Sequence, residues 1–412
     1  MLFRSTILQI IPRLDTGGAE LSTVEIVEAV MRAGGRALVA TEGGRLAGRI
    51  AAAGGEIVPF PAATKNPFRV AANAHTLRHL IARERVDLIH ARSRAPAWSG
   101  LFAARGARIP FVTTYHGAYA EQGPLKRFYN GVMARSDLVI ANSAYTAGLI
   151  RDRYGTPESR IRVIHRGVDL ARFDPELVAG IRVEALRRHW AATAGEPIIL
   201  QAARLTGWKG QGVLIEALGL LRDQGGLGRA VLVLAGDAQG RDGFRERLRQ
   251  QAQGLGLGDR VRLPGHVEDI PAAYLAARLT VVASTEPEAF GRAVTEAAAM
   301  GCPVISTDIG APPETILSLP RVSADQATGW LVPPGDARAL AQRIGTALAM
   351  PDTERSRMGE RARSHIAQRF TVAAMQRRTL AVYDEVLRTQ LERAFAEATI
   401  GGPASTGGPT AA

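Results

Sequence analysis

Two cations that lie close together in this 412-residue sequence are suited to binding a diphosphate. Arg204 and Lys209 are five residues apart in a loop, Arg-Leu-Thr-Gly-Trp-Lys, that directly follows an apolar run. Arginine offers a bidentate fork and lysine a point charge, and both stabilise negative charge that grows on a leaving phosphate. We therefore take both as candidate catalytic residues. Two solvated cations without a ligand are the alternative interpretation.

A second segment, residues 284–306, places carboxylates around the start of a predicted helix. It reads S-T-E-P-E-A-F-G-R-A-V-T-E-A-A-A-M-G-C-P-V-I-S and predicts a strand end, a loop, a helix and the next strand. Glu288 lies just before that helix, and Glu296 lies about two turns inside it. A carboxylate within an alanine-rich helix is suited to accept hydrogen bonds from the paired hydroxyls of a ribose. For Glu288, an interaction with the helix dipole is the alternative interpretation.

The first half of the chain contributes two weaker signals. Gly17 and Gly18 lie where a predicted strand meets a helix, a position at which backbone N–H groups and the helix dipole bind anions. Their spacing is not the G-x-G-x-x-G of dinucleotide sites, so an ordinary turn is the alternative. His116 follows another predicted strand, and its alternative is a hydrogen-bonded structural histidine.

These residues must be positioned by two α/β units. Short apolar runs alternate with amphipathic helices, which is typical of parallel sheets covered on both faces. Strands are predicted at 7–11, 36–40, 56–59, 86–90, 111–115, 138–141 and 161–164, and then at 198–203, 230–235, 261–263, 279–283, 303–307 and 329–332. The predicted fold class is α/β, with two Rossmann-like domains whose parallel sheets face a central, ligand-binding cleft.

The same pattern predicts the domain boundaries. The first Rossmann-like domain covers 1–168, a linker covers 169–196, and the second domain covers 197–371. A final amphipathic helix is predicted at 372–398, and residues 399–412 have the composition of a flexible tail.

Glu288 and Glu296, separated by seven residues around Phe290 and Gly291, resemble the E-x7-E signature of glycosyltransferase family 4. Other segments occur in the order of that family: the Gly17-Gly18 turn, V-D-L-I-H ending at His90, T-T-Y-H-G around His116, the Arg204 loop, and G-H-V-E-D from Gly265. The resemblance covers about residues 6 to 385. It implies the GT-B fold with a C-terminal helix that returns to the N-terminal domain. It also implies an acceptor side in the first domain and a nucleotide-sugar donor side in the second.

The resemblance implies a role for each candidate residue. Arg204 and Lys209 would hold the donor diphosphate and Glu296 the ribose. Glu288, also a candidate catalytic residue, would bind the hydroxyls of the sugar ring. His116 would lie near the reacting sugar as a further candidate catalytic residue. The other residues implied in donor binding are Gly17, Gly18, Val267 (through its backbone to the base), Phe290 and Gly291.

The charge distribution indicates an anionic acceptor. Arg92 and Arg94 depart from the family pattern on a segment that should face the acceptor. Of the net charge of +12, residues 1–180 hold 24 Lys and Arg against 15 Asp and Glu, or +9. We expect a glycan or lipid-linked acceptor and a peripheral contact with an anionic membrane. Nucleic acid is not an expected partner, because the sequence shows no basic patch interleaved with aromatic residues.

No metal or other cofactor is expected. The sequence contains no two aspartates two positions apart, so the D-x-D metal motif is absent. The single cysteine, Cys302, excludes an internal disulfide and is typical of a reducing compartment. Because no apolar run approaches the ~18 residues of a membrane span, we expect a cytoplasmic protein, with peripheral attachment to the inner face of the membrane left open.

The predicted function is a retaining, metal-independent glycosyltransferase of cell-envelope polysaccharide or lipopolysaccharide biosynthesis. Its donor would be a nucleotide-diphosphate-sugar. Two alternatives stay open: a catalytically silent sugar-nucleotide-binding subunit, and a sugar-nucleotide epimerase of the same fold.

Overall fold

The computed structural model describes residues 5–15, 17–119 and 123–400. The chain forms two compact units, of which the first combines Met1–His165 with Ala373–Ala412 and the second is Arg166–Val372. The chain therefore leaves the first unit once and returns to it. The tail predicted at 399–412 lies outside the described residues from position 401 onward.

The first unit is built on a parallel sheet whose described strands have the order β3-β2-β1-β4-β5-β6-β7. These strands are β1 (Thr6–Ile10), β2 (Arg36–Thr41), β3 (Glu56–Pro59), β4 (Leu88–Ala91), β5 (Phe111–Tyr115), β6 (Leu138–Ala141) and β7 (Ile161–Val163). Every residue of β1, β4, β5 and β6 is buried. Both faces of this sheet are covered, which explains why these runs are apolar without alternation.

Helices cover the two faces of the first sheet. The first six are α1 (Gly18–Arg32), α2 (Ala47–Ala52), α3 (Pro67–Glu84), α4 (Arg94–Ala107), α5 (Pro124–Asn130) and α6 (Ala144–Tyr154). On one face, Leu77 of α3 and Leu101 of α4 pack with Leu8. Helix α3 begins directly after Asn66, because the Asn66 side chain accepts hydrogen bonds from the N–H groups of Phe68 and Arg69.

The second unit has a parallel sheet of the same kind, with its described strands in the order β10-β9-β8-β11-β12-β13. They are β8 (Ile198–Ala202), β9 (Val231–Ala235), β10 (Val261–Gly265), β11 (Leu279–Val282), β12 (Val304–Thr307) and β13 (Trp330–Val332). In both units the order reverses between the first strand and the fourth, so loops that follow those strands lie at a topological switch point.

The helices of the second unit also cover both faces of its sheet. They are α7 (Gly180–His189), α8 (Gln211–Asp223), α9 (Asp242–Gly254), α10 (Ile270–Ala276), α11 (Arg292–Ala299), α12 (Pro312–Thr315), α13 (Ala337–Ala349) and α14 (Asp352–Arg369). Leu214 of α8 packs on one face with Ile199, and Val294 of α11 packs on the other with Ile198.

The segment 169–196, which was predicted to be a linker, is part of the second unit and contributes to its core. It contains α7, and Phe173 and Trp190 on either side of this helix are buried in the core of the second unit. The two aromatic side chains anchor the segment, because burial of large apolar groups stabilises it against the domain.

The single C-terminal helix predicted at 372–398 is two helices, α15 (Val372–Leu387) and α16 (Leu391–Ile400). Between them Arg388 has a φ of +57°. The Asp384 carboxylate accepts hydrogen bonds from the N–H groups of Leu391 (2.7 Å) and Glu392 (2.9 Å), so it caps the start of α16. Leu380 of α15 and Phe395 of α16 lie in the core of the first unit. Helix α16 packs against α1, and Gln376 of α15 donates a hydrogen bond to the Glu25 carbonyl of α1 at 2.7 Å.

Among the helices of the described residues, none combines the length and the apolar character that a membrane-spanning helix requires.

Candidate active site

The loop that carries Lys209 is held in place by a glycine. It connects β8 to α8, and Gly210 at its end has a φ of +70°. A Cβ on Gly210 would lie 1.8 Å from the carbonyl oxygen of Ala283, so only glycine fits. The Gln201 amide also donates a hydrogen bond to the Lys209 carbonyl at 2.7 Å. The loop therefore lies directly against the chain that leaves β11.

The backbone of Glu288 is held in place by close contact with the backbone of Gly310 and Ala311. The N–H of Ala311 donates to the Glu288 carbonyl at 2.9 Å. A Cβ on Gly310, whose φ is +75°, would lie 2.5 Å from the same oxygen. Glu288 is thus held between the end of β11 and the loop that follows β12.

These two loops bring Lys209 and Glu288 into contact. Lys209 Nζ lies 2.8 Å from Glu288 Oε1, and the two side chains are only 15% and 10% exposed. Ser284 Oγ donates to the same carboxylate oxygen at 2.5 Å, and Nζ lies 4.3 Å from the centre of the Trp208 ring. An ion pair that is so little exposed is screened less than a surface pair. Both predicted residues therefore belong to one charged cluster.

Arg204 begins the same loop and is exposed. Its carbonyl accepts a hydrogen bond from Gln211 Nε2 at 2.9 Å. No residue that the structure describes forms an ion pair or a hydrogen bond with its guanidinium. The five donors of this group are available to an anionic ligand.

Glu296 lies in the second turn of α11 and is paired within its own helix. Arg292 Nε donates to Glu296 Oε1 at 3.2 Å, and Tyr274 Oη donates to Oε2 at 3.5 Å. Burial raises the pKa of Glu296, and the neighbouring Arg292 opposes that shift. Burial also raises the pKa of Tyr274 well above its usual range. A carboxylate whose ionised form is this poorly solvated gains from additional hydrogen-bond donors.

The other residues implied in donor binding lie around α11 and β10. Gly291 immediately precedes α11 with a φ of +81°, so this helix begins from a left-handed residue that glycine adopts easily. Phe290 and Val267 are buried in the core of the second unit. Their side chains are structural, which leaves the backbone of Val267 as the part that could meet a ligand.

In the first unit, buried polar residues connect three strands to the C-terminal α15. His90 of β4 lies between Tyr383 Oη (2.6 Å from Nδ1) and Thr114 Oγ1 (2.7 Å from Nε2). Burial lowers the pKa of His90 well below its usual range, and the charges of Arg92 and His116 act in the same direction. His90 is therefore neutral at neutral pH.

Arg92 is buried, although the sequence analysis assigned it to the acceptor side. Its Nε and Nη2 donate to Gln9 Oε1 at 2.8 and 2.5 Å, and Nη1 lies 3.5 Å from Thr114 Oγ1. Burial lowers its pKa, while Glu25 and Tyr383 act against that shift. Sequence spacing could not reveal this burial, because it arises from the pairing of β1 with β4.

Arg94 is the more accessible of the two predicted acceptor-side cations. Its Nη1 donates to Asn130 Oδ1 at 2.7 Å, and its guanidinium lies 4.0 Å from the centre of the Tyr119 ring. Both contacts hold the guanidinium in one orientation at the start of α4.

The remaining predicted residues follow β1 and β5. Gly17 precedes α1 with a φ of +150°, and Gly18 is the first residue of that helix. His116 comes directly after β5 and is partly buried. All three lie at the carboxyl end of the first sheet, where the sequence analysis placed them.

Sequence reasoning missed three partners of the predicted carboxylates: Ser284, which donates to Glu288, and Arg292 and Tyr274, which donate to Glu296. The contact of Arg292 with Glu296 could have been predicted, since residues four apart on a helix are neighbours. The contacts of Ser284 and Tyr274 could not, because they depend on how loops and helices meet in space. The described residues contain no group of three or more His, Cys, Asp or Glu side chains that could hold a metal ion. Metal independence stays a prediction.

Two family models match the chain. The model for glycosyltransferase family 4 matches residues 16–172, and the model for glycosyl transferases group 1 matches residues 183–365. The two matches fall on the two structural units, with the second beginning inside α7.

Related proteins share sequence with both matched regions. A D-inositol 3-phosphate glycosyltransferase of Salinispora tropica is 31% identical over 326 residues, which are 74% of this chain and 66% of that protein. The chain spans slightly less than two thirds of the first curated relatives, at 66%, 62% and 64% of their length.

Solved structures of glycosyltransferases superpose on nearly the whole chain. A glycosyltransferase from Rickettsia africae has a TM-score of 0.83 and 32% identity, covering 94% of this chain and 99% of that one. Anabaena HepE, in complex with UDP-glucose, has a TM-score of 0.78 and 26% identity, covering 92% and 99%. The chain belongs to glycosyltransferase family 4 and has the GT-B fold of two Rossmann-like domains.

Proposed function

We propose that this protein is a retaining glycosyltransferase that moves a sugar from a nucleotide-diphosphate-sugar to a hydroxyl of a glycan or lipid-linked acceptor. The observation that carries this proposal is the 2.8 Å contact between Lys209 and Glu288. In a nucleotide-sugar, the sugar ring and the β-phosphate share one oxygen. A cation that binds the phosphate and a carboxylate that binds the ring hydroxyls must therefore be neighbours, as these two residues are.

Lys209 and Arg204 are suited to meet the charge that develops during transfer. When the bond between the anomeric carbon and the phosphate oxygen breaks, negative charge grows on the leaving diphosphate. A little-exposed ammonium stabilises that charge without reorganising in the reaction. Arg204 adds an exposed guanidinium that can bind two phosphate oxygens. With these cations present, we propose that no metal ion is needed.

Retention of configuration fits a displacement on one face of the sugar. In this step the acceptor oxygen bonds to the anomeric carbon while the leaving phosphate accepts the proton of the acceptor hydroxyl. Glu288 is a poor nucleophile for a double displacement, because Oε1 is engaged by Lys209 and Ser284. Its carboxylate is better suited to orient ring hydroxyls.

We assign the ribose to Glu296 and the uracil class of nucleotide to the donor. A ribose would add hydroxyl donors to the Glu296 carboxylate, beyond those of Arg292 and Tyr274. UDP-glucose is the ligand of the similar Anabaena HepE, which makes a UDP-sugar the first donor to test.

For the acceptor we propose an anionic molecule of cell-envelope polysaccharide or lipopolysaccharide biosynthesis. Arg94 offers a partly accessible guanidinium fixed by Asn130 and Tyr119. The name of the Salinispora tropica relative points to a phosphorylated acceptor. An acceptor of this kind fits a cytoplasmic enzyme attached to the inner face of the membrane.

The first experiment measures the melting temperature of the purified protein with UDP-, GDP- and ADP-sugars. A ligand that binds the folded state raises its stability by mass action, by about 2.7 kcal/mol at one hundred times its Kd. We expect one nucleotide class to raise the melting temperature and that sugar to be slowly hydrolysed. Binding without hydrolysis or transfer indicates the silent subunit, and an epimerised sugar indicates the epimerase. No stabilisation by any of the sugars contradicts the proposal.

A further inference from the structure

One surface of the first unit exposes large apolar side chains. Phe102 on α4 is 51% exposed, and Leu125 and Phe128 on α5 are 85% and 56% exposed. Single exposed apolar residues are common on protein surfaces, but a contiguous group marks an interaction site. The question is therefore whether these side chains are contiguous.

Trp98 connects them. Its ring centre lies 5.9 Å from that of Phe102 and 5.2 Å from that of Phe128, on which it stacks. The indole Nε1 donates to the Tyr129 carbonyl at 3.2 Å, which fixes the ring between α4 and α5. Leu125 lies three residues before Phe128 on the same helix, so the two share one face.

Cations surround this apolar group. The guanidinium of Arg135 lies 4.6 Å from the ring centre of Phe128 and 5.2 Å from that of Trp98. Arg105 donates to the Arg135 carbonyl at 3.5 Å. Lys126 adjoins Leu125 and is exposed. We call Trp98, Phe102, Leu125 and Phe128, with Arg105, Lys126 and Arg135, the aromatic face.

The surrounding sequence has almost no negative charge. Between Asp87 and Asp137 the chain contains seven Lys and Arg residues and a single acidic residue, Glu121. The excess positive charge of the first half is therefore concentrated in the segment that forms the aromatic face.

We propose that the aromatic face binds the anionic surface of a lipid bilayer. Trp and Phe side chains insert at the level of the headgroups, and neighbouring Lys and Arg side chains bind lipid phosphates. This inference rests on the proposed function, because a bilayer is where a lipid-linked acceptor would be found. The sequence shows no basic patch interleaved with aromatic residues, because these side chains come together only when α4 and α5 pack.

The charge of the aromatic face disfavours a second copy of the chain. In a symmetric dimer the same surface lies on both sides, so the cations of one copy would face those of the other. An anionic bilayer, in contrast, is complementary to the cations and also takes up the apolar side chains.

The test is sedimentation of the full chain with phosphatidylcholine vesicles that contain about one third phosphatidylglycerol. Removing one cation should weaken binding about fivefold, so Lys126→Glu should weaken it by more. Leu125→Ser combined with Phe128→Ser should weaken it about tenfold or more. The matched control is Arg247→Glu on α9, which removes an exposed guanidinium that lies 5.5 Å from the Phe244 ring.

The expected result is binding that falls with added salt, falls in both aromatic-face variants and is unchanged in the control. Three results would each overturn the proposal: no sedimentation at low salt, equal loss in the control, or equal binding to vesicles of phosphatidylcholine alone. Tighter binding to single-stranded RNA that the same variants abolish would assign the surface to nucleic acid instead.

The melting temperature with and without the best nucleotide-sugar is measured on the same variants. An unchanged shift in every variant shows that a loss of vesicle binding is not a loss of folding or of donor binding. If the protein binds vesicles but no nucleotide-sugar changes its melting temperature, the membrane proposal for the aromatic face stands and only the proposed function is refuted.

Discussion

The buried polar residues of the two units have different kinds of partners. In the second unit, charged residues of low exposure form ion pairs, Lys209 with Glu288 between two loops and Arg292 with Glu296 within α11. In the first unit His90 bonds to hydroxyl oxygens of Tyr383 and Thr114, and Arg92 donates to the amide oxygen of Gln9. The same type of sheet thus carries exchangeable charge pairs in one unit and a fixed, mostly neutral network in the other.

This difference indicates a division of roles. A partly exposed ion pair is open to water, so one partner could be exchanged for a phosphate or a hydroxyl if a ligand binds there as proposed. The buried network of the first unit is inaccessible and links β4 to α15, so its effect should be on stability. Each of the following changes tests one side of this division.

The largest effect is expected from Lys209→Ala. Loss of one charged donor at a developing anion costs about 2.7 to 4 kcal/mol, or roughly 10² to 10³ in kcat. Because the contact strengthens in the transition state, kcat should fall more than the donor KM rises. Steady-state kinetics with one donor measures both values. The matched control Lys65→Ala removes an exposed lysine and should leave both values unchanged. A Lys209 variant with normal turnover would show that the phosphate site is elsewhere.

Glu296→Gln should act mainly on binding. Hydrogen bonds to a charged group contribute about 1.5 to 3 kcal/mol, so the donor KM should rise about tenfold or more with a smaller change in kcat. The ribose does not react, and its contacts are the same in the ground and transition states. A fall in kcat as large as that of Lys209→Ala would contradict the assignment of the ribose.

The same variant has a predicted signature in stability. Because burial raises the pKa of Glu296 in the folded protein, its stabilising contribution is present at low pH and is lost as the pH rises through that pKa. As the pH rises from acidic to neutral without ligand, the melting temperature of Glu296→Gln should fall less than that of the native protein. Melting temperatures across that range measure the difference, and parallel curves would refute it.

Tyr383→Phe should affect the first unit in a smaller and different way. It leaves Nδ1 of the buried His90 without its hydroxyl partner, which costs about 1 to 3 kcal/mol of stability. Donor turnover per folded molecule should not change. Denaturant unfolding and kinetics on the same sample separate the two effects, and reduced turnover without lost stability would assign this network to the reaction.

His90 also predicts acid sensitivity. Its pKa is lowered in the folded protein, so its contribution is present above the unfolded pKa of about 6.5 and is lost as the pH falls below it. His90→Gln should flatten that part of the stability curve relative to the native protein. A curve of unchanged steepness would assign the acid sensitivity to other groups.

The smallest effect is expected from metal removal. If Lys209 and Arg204 meet the charge of the leaving diphosphate, transfer should persist in excess EDTA at close to its full rate. Loss of activity on chelation, restored by Mg²⁺ or Mn²⁺, would show that the two cations are insufficient.

The fold was predictable largely because its central strands, such as β1, β5 and β9, are buried on both faces. All the strands predicted from apolar runs occur in the described residues, with ends within about two positions. The errors lie where tertiary packing decides the outcome. Trp190 anchors the supposed linker in the second core, and Asp384 divides the C-terminal helix by capping α16.

The sequence predicted which residues are candidates for donor binding, but it did not predict how their side chains are arranged. Spacing and chemistry selected Lys209 and Glu288, yet nothing in the sequence states that their side chains meet. The aromatic face was missed for a related reason. Trp98 precedes Phe128 by 30 positions, and the two rings meet with Arg135 only when α4, α5 and the turn after α5 pack together.

The return of the chain to its first unit has a consequence for the order of folding during synthesis. Residues 166–372 form the second unit as one continuous stretch, so all of its parts have been translated before α15 and α16 are made. The first unit, although translated first, lacks Tyr383, Leu380 and Phe395 of its core until then. Domains fold as units while the ribosome is still adding residues. The second unit can therefore reach its native state first, while the first unit keeps part of its apolar surface exposed until α15 and α16 have been made.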